Sequence, residues 1–336
     1  MGKTKAEAVL VTGGAGYIGS HAVRELVKAG RRVLVLDNLV YGHRAAVDRA
    51  AELIVGEVGD AVLVADLFAR QRITAVVHFA AYAYVGESVQ EPAKYYRNNM
   101  AAPLALFDAM RAHGCSRFIF SSTCATYGNP VKIPMDEQHP QQPINPYGRS
   151  KRMLEQVLED YDHAYGLKSV RLRYFNACGA AEDGALGEDH HPETHVVPRV
   201  LMAARGELDK VQVFGTDYAT PDGTCIRDYI HVEDLADAHV KALQHLEAGK
   251  DSLSCNLGTG RGVSVKELIE FAAAVTGQRI PVEFCARRAG DPPELVADPR
   301  LAAKVLGWKA RRPEVRHALE TAWRWMNGPG GGRYPK

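Results

Sequence analysis

Tyr147 and Lys151 stand four residues apart in "INPYGRSK" (144–151), directly after a proline. Proline suits the first turn of a helix, where its missing N–H leaves no hydrogen bond unmade. From there the two side chains fall one turn apart on the same helical face. A phenol is a poor base at neutral pH, with an ordinary pKa of about 10. A neighbouring ammonium, or another positive group, favours the phenolate and draws that value down. The pair is therefore suited to proton transfer at a substrate hydroxyl, although the spacing alone also describes an ordinary solvated helix face. "SSTCATYG" (121–128) supplies a partner. It closes an apolar strand pattern, and the loops after parallel strands form ligand crevices. Thr123 is thus placed to hydrogen-bond the same oxygen as Tyr147.

A second group of residues suits a dinucleotide. "VTGGAGYIG" puts Gly13, Gly16 and Gly19 between a strand pattern and a helix pattern. Glycines let backbone approach a pyrophosphate, and the helix N-terminus offers N–H groups and positive dipole to it. Asp37 closes the next strand pattern, at about the twenty-residue distance expected of a ribose-binding acid. A carboxylate there accepts from an adenosine 2′-hydroxyl and repels a 2′-phosphate, so NAD is expected rather than NADP. The plainer alternative is a tight turn followed by a loop aspartate.

These residues need elements to hold them. Apolar, β-branched runs at 8–14, 32–38, 51–56, 73–81, 117–123 and 169–176 read as strands. Helical patterns at 17–30, through "ALFDAMRAHG" and after Pro146 separate them. Short apolar strands alternating with helices predict an α/β protein with a Rossmann-type, doubly wound parallel sheet. After Asn176 the rhythm breaks. Residues 1–176 are expected to form the NAD-binding domain with the catalytic Tyr/Lys. Residues 177–336 mainly form a smaller C-terminal substrate-binding lobe, some of whose segments can return to the main sheet. The glycine-rich tail "NGPGGGRYPK" is expected to be mobile.

Bulk properties remove whole classes of function. The 336 residues are 46% hydrophobic and carry 41 basic against 40 acidic side chains, so no global field recruits nucleic acid or membrane. No run approaches the length of about 18 apolar residues that a membrane span needs. The chain passes from a short charged lead straight into a strand, and no signal peptide is expected. Six cysteines without C-x-x-C spacing point to reduced thiols in the cytoplasm rather than disulfides or zinc. Histidines 190, 191 and 195 of "GEDHHPETH" (187–195) invite a metal reading. No carboxylate or thiol pattern is seen to close a tetrahedral set around them, so no metal is expected.

"TGGAGYIG" together with "YGRSK" resembles the extended short-chain dehydrogenase/reductase family. Within it, residues 8 to 327 are similar to the 4-epimerases of UDP-glucose and of other UDP-sugars. The resemblance implies a triad of Thr123, Tyr147 and Lys151 beside NAD. It implies that NAD is held by Gly13, Gly16, Tyr17, Ile18 and Gly19, and by Asp37 and Asn38 at the ribose. Glu57 and Val58 fall beside the adenine, where relatives often carry an aspartate. Phe79, Ala80, Ala81 and Asn99 line the cleft, and Tyr174 approaches the nicotinamide. Ala83 stands where some relatives carry a lysine. Sugar-nucleotide dehydratases and decarboxylases of this family carry an acid pair just after the threonine. Cys124 and Ala125 occupy those positions here, which points to epimerisation.

For the UDP-sugar the resemblance implies Asn176 and Gln212, and Phe214 as an apolar plate for uracil. Backbone groups of His195 and Val196 meet the uracil side in a loop that covers the substrate. Arg227 and Arg288 suit the diphosphate, because a guanidinium bonds two oxygens at once. Asp291 is expected to accept from the uridine ribose. Leu295 matches a position that limits sugar bulk, with a residue of intermediate size. The expected reaction is inversion of C4 in UDP-glucose and UDP-galactose through a transient 4-keto sugar. The alternatives are a 4-epimerase of UDP-N-acetylglucosamine or of UDP-xylose and UDP-arabinose, a net dehydrogenase or reductase, and a non-catalytic dinucleotide sensor. Members are usually homodimers joined partly by the helices after residues 91 and 146.

Overall fold

A computed structural model describes residues 6–288 and 290–335. Most of the charged lead, Ala289 of "RRAGDP" and the last lysine lie outside the described residues. The chain opens with β1 (Glu7–Thr12), α1 (Tyr17–Lys28), β2 (Val33–Asp37), β3 (Glu52–Val55), α2 (Ala61–Arg70) and β4 (Arg72–His78). There follow α3 (Val85–Gln90), α4 (Pro92–Tyr96), a π-helical turn (Arg97–Ala101), α5 (Ala102–Ala112), β5 (Arg117–Thr123), α6 (Pro146–Tyr165) and β6 (Lys168–Tyr174). The later part holds β7 (Asn176–Cys178), α7 (Val196–Ala204), β8 (Val211–Phe214), β9 (Ile226–His231), α8 (Val232–Glu247) and β10 (Leu253–Leu257). It ends with β11 (Gly262–Ser264), α9 (Val265–Thr276), β12 (Val282–Cys285), β13 (Glu294–Leu295), α10 (Arg300–Leu306) and α11 (Val315–Met326).

Seven strands form one sheet in the order β10-β6-β5-β4-β1-β2-β3, with every neighbouring pair parallel. Side chains alternate between its faces, as the two-residue period of a strand requires. Val9, Val11, Val33 and Val35 pack on the face covered by α1, α8 and α10. Ala8, Leu10, Leu34 and Leu36 pack on the face covered by α2, α5 and α6. Both faces are dry, which explains the near-continuous apolar runs in β1 and β2. The strand order reverses between β1 and β4, and a crevice opens beyond the carboxyl ends of these strands. This is the doubly wound, Rossmann-type α/β architecture.

Several predicted boundaries move, each for a physical reason. The fourth strand stops at His78, because the amides of Phe79 and Ala80 both turn to Thr12 O at 2.8 and 3.1 Å. Phe79–Ala81 is therefore loop. The strand read as 169–176 is broken at Phe175: β6 stays in the main sheet, and β7 pairs with β9 in a second one. In that smaller sheet β9 is central, flanked by β11 and by β13, with β7 also joined to it, while β8 and β12 form a separate pair. β10 returns to the main sheet beside β6. The tail is anchored rather than loose. Tyr334 donates to Gly187 O and stacks on His43, its ring also meeting Trp325. Among the described residues, no helix is long and apolar enough to cross a membrane.

Candidate active site

A cavity of about 950 Å³ lies between the main sheet and the smaller one. One wall is the turn after β1. Gly13 adopts a left-handed φ of +71°, and a Cβ there would stand 2.5 Å from Ala80 N, so only glycine lets the two loops touch. A Cβ on Gly19 would meet Gly13 O at 2.1 Å. Gly16 differs: its Cβ direction is nearly open, and it borders the cavity. Helix α1 starts there with no side-chain cap and no acid in its first turn. Its leading N–H groups are thus available to an anion, as a dinucleotide pyrophosphate requires. Tyr17, Ile18 and Gly19 continue this wall, and Phe79, Ala80 and Ala81 face them.

Asp37 ends β2 at the cavity edge. Its carboxylate accepts from Ala15 N and Leu39 N, each at 2.9 Å. Burial pushes its pKa up while those two amides oppose the rise. Asn38 Nδ2 donates to both Glu57 oxygens, at 3.1 and 3.2 Å, orienting that acid beside Val58. All four residues line the cavity. Asn99 is the exception among the expected cofactor residues. It is buried behind the wall, where its amide brackets the backbone of Tyr82 through both groups at 2.9 Å. It shapes the loop after β4 without reaching the cavity.

Helix α6 brings Tyr147 and Lys151 in. Asn145 caps it by accepting from Gly148 N at 2.8 Å, and Pro146 fills the first turn. A Cβ on Gly148 would stand 2.3 Å from Ala125 O, so glycine here lets α6 press against the loop following β5. That approach sets Tyr147 beside Thr123. The Thr123 oxygen accepts from Ala125 N at 3.1 Å, which leaves its own proton to donate into the site. Burial holds Tyr147 well above its ordinary value, Tyr174 adds to this, and Thr123 opposes it. Burial also draws Lys151 down to about 7, against the pull of Glu155. Lys151 Nζ donates to Ser121 O at 2.8 Å. At the phenol, burial thus outweighs the groups that the protein itself sets around it. Tyr174 borders the same space, its hydroxyl 2.5 Å from Ser121 Oγ. Burial pushes Cys124 up to about 12, so its thiol is no acid at neutral pH.

One functional layer was missed in the sequence. Glu155 lies one turn beyond Lys151 on the same face and is fully buried. It takes Arg173 in a two-pronged pair at 2.9 and 2.7 Å, and also accepts from Ser122 Oγ at 2.6 Å. Arg173 in turn holds Tyr127 OH at 3.0 Å. Burial pushes Glu155 up, but the hydrogen bonds and charge of Arg173 outweigh it and hold the acid below the usual carboxylate range. Ser122, between Ser121 and Thr123, ties this network to the strand end under the triad. The i, i+4, i+8 stripe Tyr147–Lys151–Glu155 was the available signal.

The opposite wall comes from the second sheet and its loops. Asn176, Gln212, Phe214, Arg227, Arg288 and Asp291 all line it, as do His195, Val196 and Leu295. Their contacts with one another were not foreseen. Arg227 pairs with Asp291 at 2.5 Å, so the arginine and the acid assigned to different parts of a ligand satisfy each other. Arg288 lies over the Phe214 ring, 4.4 Å from its centre. The loop "GEDHHPETH" also departs from expectation. Glu188 and Glu193 converge with His190 and His195, and their four ligand-type atoms fall within 4.8 Å of one another. The carboxylates thought to be lacking around these histidines come from the loop itself.

The family model of the NAD dependent epimerase/dehydratase family matches residues 9–258, and the chain belongs to that family. It is 49% identical over 317 residues to a UDP-glucose 4-epimerase of Lacticaseibacillus casei, a match covering 94% of this chain and 96% of that one. A UDP-arabinose 4-epimerase of Arabidopsis thaliana is 47% identical over 331 residues, covering 95% of this chain and 79% of that one. The crystal structure of UDP-glucose 4-epimerase from Brucella ovis in complex with NAD superposes with a TM-score of 0.92 at 52% identity, covering 95% of this chain and 98% of that one.

Proposed function

We propose that this chain inverts C4 of a UDP-hexose, interconverting UDP-glucose and UDP-galactose with bound NAD. The convergence of Thr123, Tyr147 and Lys151 on one cavity carries this reading. That cavity has a dinucleotide-shaped wall on one side and an arginine-bearing wall on the other. The glycine turn and the uncapped start of α1 would hold the pyrophosphate, and Asp37 the adenosine ribose. Bound NAD+ supplies a reversible acceptor for the hydrogen leaving C4, and a positive charge beside the phenol.

In that setting Tyr147 takes the proton of the sugar 4-hydroxyl. Thr123 donates to the same oxygen and fixes its direction. Lys151, anchored on Ser121 O one helical turn from Tyr147, adds its charge to that of the bound NAD+ when it is protonated, favouring the phenolate. The 4-keto sugar turns over in the cavity, and Tyr147 returns its proton to the other epimer. Arg227 and Arg288 leave their partners, Asp291 and Phe214, to hold the diphosphate, and Asp291 then accepts from the ribose. No acid side chain stands at 124 or 125 to eliminate water. Residues 1–176 mainly carry cofactor and catalysis, and later segments mainly carry the sugar nucleotide. Two copies pair partly through the helices after residues 91 and 146, α4–α5 and α6, where Met153 is exposed. Six unpaired thiols suit a cytoplasmic setting.

A second reading, UDP-xylose and UDP-arabinose as substrates, is favoured by the likeness to the Arabidopsis enzyme. Assays of purified protein on UDP-galactose, UDP-N-acetylgalactosamine and UDP-xylose separate the readings. The first predicts the highest kcat/KM on UDP-galactose. A higher value on UDP-xylose selects the second, and net NADH accumulation on any of them rejects both.

A further inference from the structure

Loop 188–195 carries four metal-type donors on the rim of the cavity, and nothing in the proposed reaction uses their side chains. The Glu188 and Glu193 side chains are only 7% and 8% exposed. Among the described residues, no lysine or arginine forms an ion pair with either carboxylate; both face only His190 and His195. Two acids taken out of water need two positive charges. Two imidazolium ions with ring centres 5.5 Å apart would supply them at the cost of their mutual repulsion. One dication between neutral imidazoles supplies the same charge without it.

The distances fit a shared centre. His190 Nδ1 lies 3.2 Å from Glu188 Oε1 and 3.7 Å from Glu193 Oε2, and His195 Nδ1 lies 3.9 Å from Glu193 Oε1. Ligands at zinc bond lengths on a tetrahedron stand about 3.3–3.6 Å apart. His190 Nδ1 is buried and makes no directed hydrogen bond, although Glu188 is within reach. His195 and Glu188 are in closer contact and have to separate by a fraction of a bond length. The other cluster of this kind, Glu182, His231 and His317, has its donors already engaged. Both ring nitrogens of His231 are taken by Thr321 and by the Glu233 amide, and Glu182 pairs with Arg312.

We propose that Glu188, His190, Glu193 and His195 bind one divalent transition-metal ion of the zinc class. Two imidazoles and two carboxylates suit that class. Four protein ligands close the site, so its role is structural rather than catalytic. The ion clasps the loop just ahead of α7. The His190 ring also meets the edges of Tyr17 and Tyr84, so the clasp steadies two sides of the cavity rim. The inference stands apart from the reaction and is tested without it.

Chelator-treated full-length protein is titrated with Co2+ alone. The expected result is saturation at one ion per chain, with the strong visible bands of tetrahedral cobalt and no thiolate charge-transfer band. Zn2+ should displace the colour and raise the Tm. His190→Ala and Glu193→Gln should each weaken binding by about 100-fold or more, since even outer partners of ligands change affinity about 10–100-fold. His191→Ala, whose ring is 69% exposed, should bind as the parent does. Circular dichroism checks that each variant is folded, and the two ligand variants back each other if one is not. Weak octahedral cobalt, a thiolate band, or undiminished binding by folded His190→Ala or Glu193→Gln overturns the site.

Discussion

The wall formed by Gly13, Gly16 and Gly19 is backbone, whereas the wall facing it, from Phe214 to Asp291, is side chain. The first is complete as it stands: Gly13 and Gly19 are packed against Ala80 and Gly13 O, and the uncapped start of α1 borders the cavity. The second is closed on itself, with Arg227 on Asp291 and Arg288 on Phe214. A ligand on the first wall finds a fixed cradle. One on the second must exchange partners. The first wall should therefore fail by distortion, and the second by loss of affinity.

Substitution between the walls comes first in size. Tyr147→Phe should lower turnover by about 10²–10⁴-fold, the usual worth of a positioned proton-transfer group. NAD and UDP should remain bound, because neither wall is touched. Next is the support beneath the triad. Glu155→Gln leaves Arg173 buried without its counter-ion, and breaking such a pair costs about 3–5 kcal/mol in denaturant unfolding. The sign with pH is fixed by the lowered Glu155 pKa. Its contribution is fully present above the unfolded carboxylate value of about 4.3 and is lost as pH falls through the lower folded value. Stability of the parent should therefore fall with acid, and Glu155→Gln should flatten that fall.

Gly19→Ala tests the backbone wall. The new methyl group meets Gly13 O and cannot move it cheaply, so a loss of about 1–3 kcal/mol is expected, as for overpacking. The Tm should drop and less NAD should survive gel filtration, while UDP affinity in the remaining folded protein holds. Arg227→Lys tests the side-chain wall and should have the smallest effect on stability. Its KM for the UDP-sugar should rise about 10–100-fold, from the loss of a charged hydrogen bond worth about 1.5–3 kcal/mol. An unchanged kcat would mark it as binding the ground and transition states equally. A fall in Tm as large as that of Gly19→Ala would erase the distinction between the walls.

The same division governed what the sequence disclosed. The glycine turn and the Tyr–Lys pair are contiguous, and their function depends on local geometry that spacing encodes. The alternating faces of β1 and β2 were legible for that reason too. Arg227 and Asp291 are 64 residues apart, and no local pattern says that they pair. Glu155 went unread, because its burial depends on β6 crossing beneath α6 to deliver Arg173. Asn99 was expected at the cofactor, and its amide is held by the backbone of Tyr82. Glu188 and Glu193 sat in a loop where acids are usually solvated, and only the folding of that loop turns them toward His190 and His195. Tyr334 shows the same limit, since its anchors on Gly187 and His43 lie far back in the chain.

The central claim is that the hydrogen removed from C4 returns to the same carbon of the same sugar. UDP-galactose deuterated at C4, incubated with purified protein and followed by NMR, tests it directly. UDP-glucose should form with the deuterium kept at C4 and without net change in nicotinamide absorbance. Loss of the label to solvent, or build-up of deuterated NADH beside a keto sugar, would contradict it.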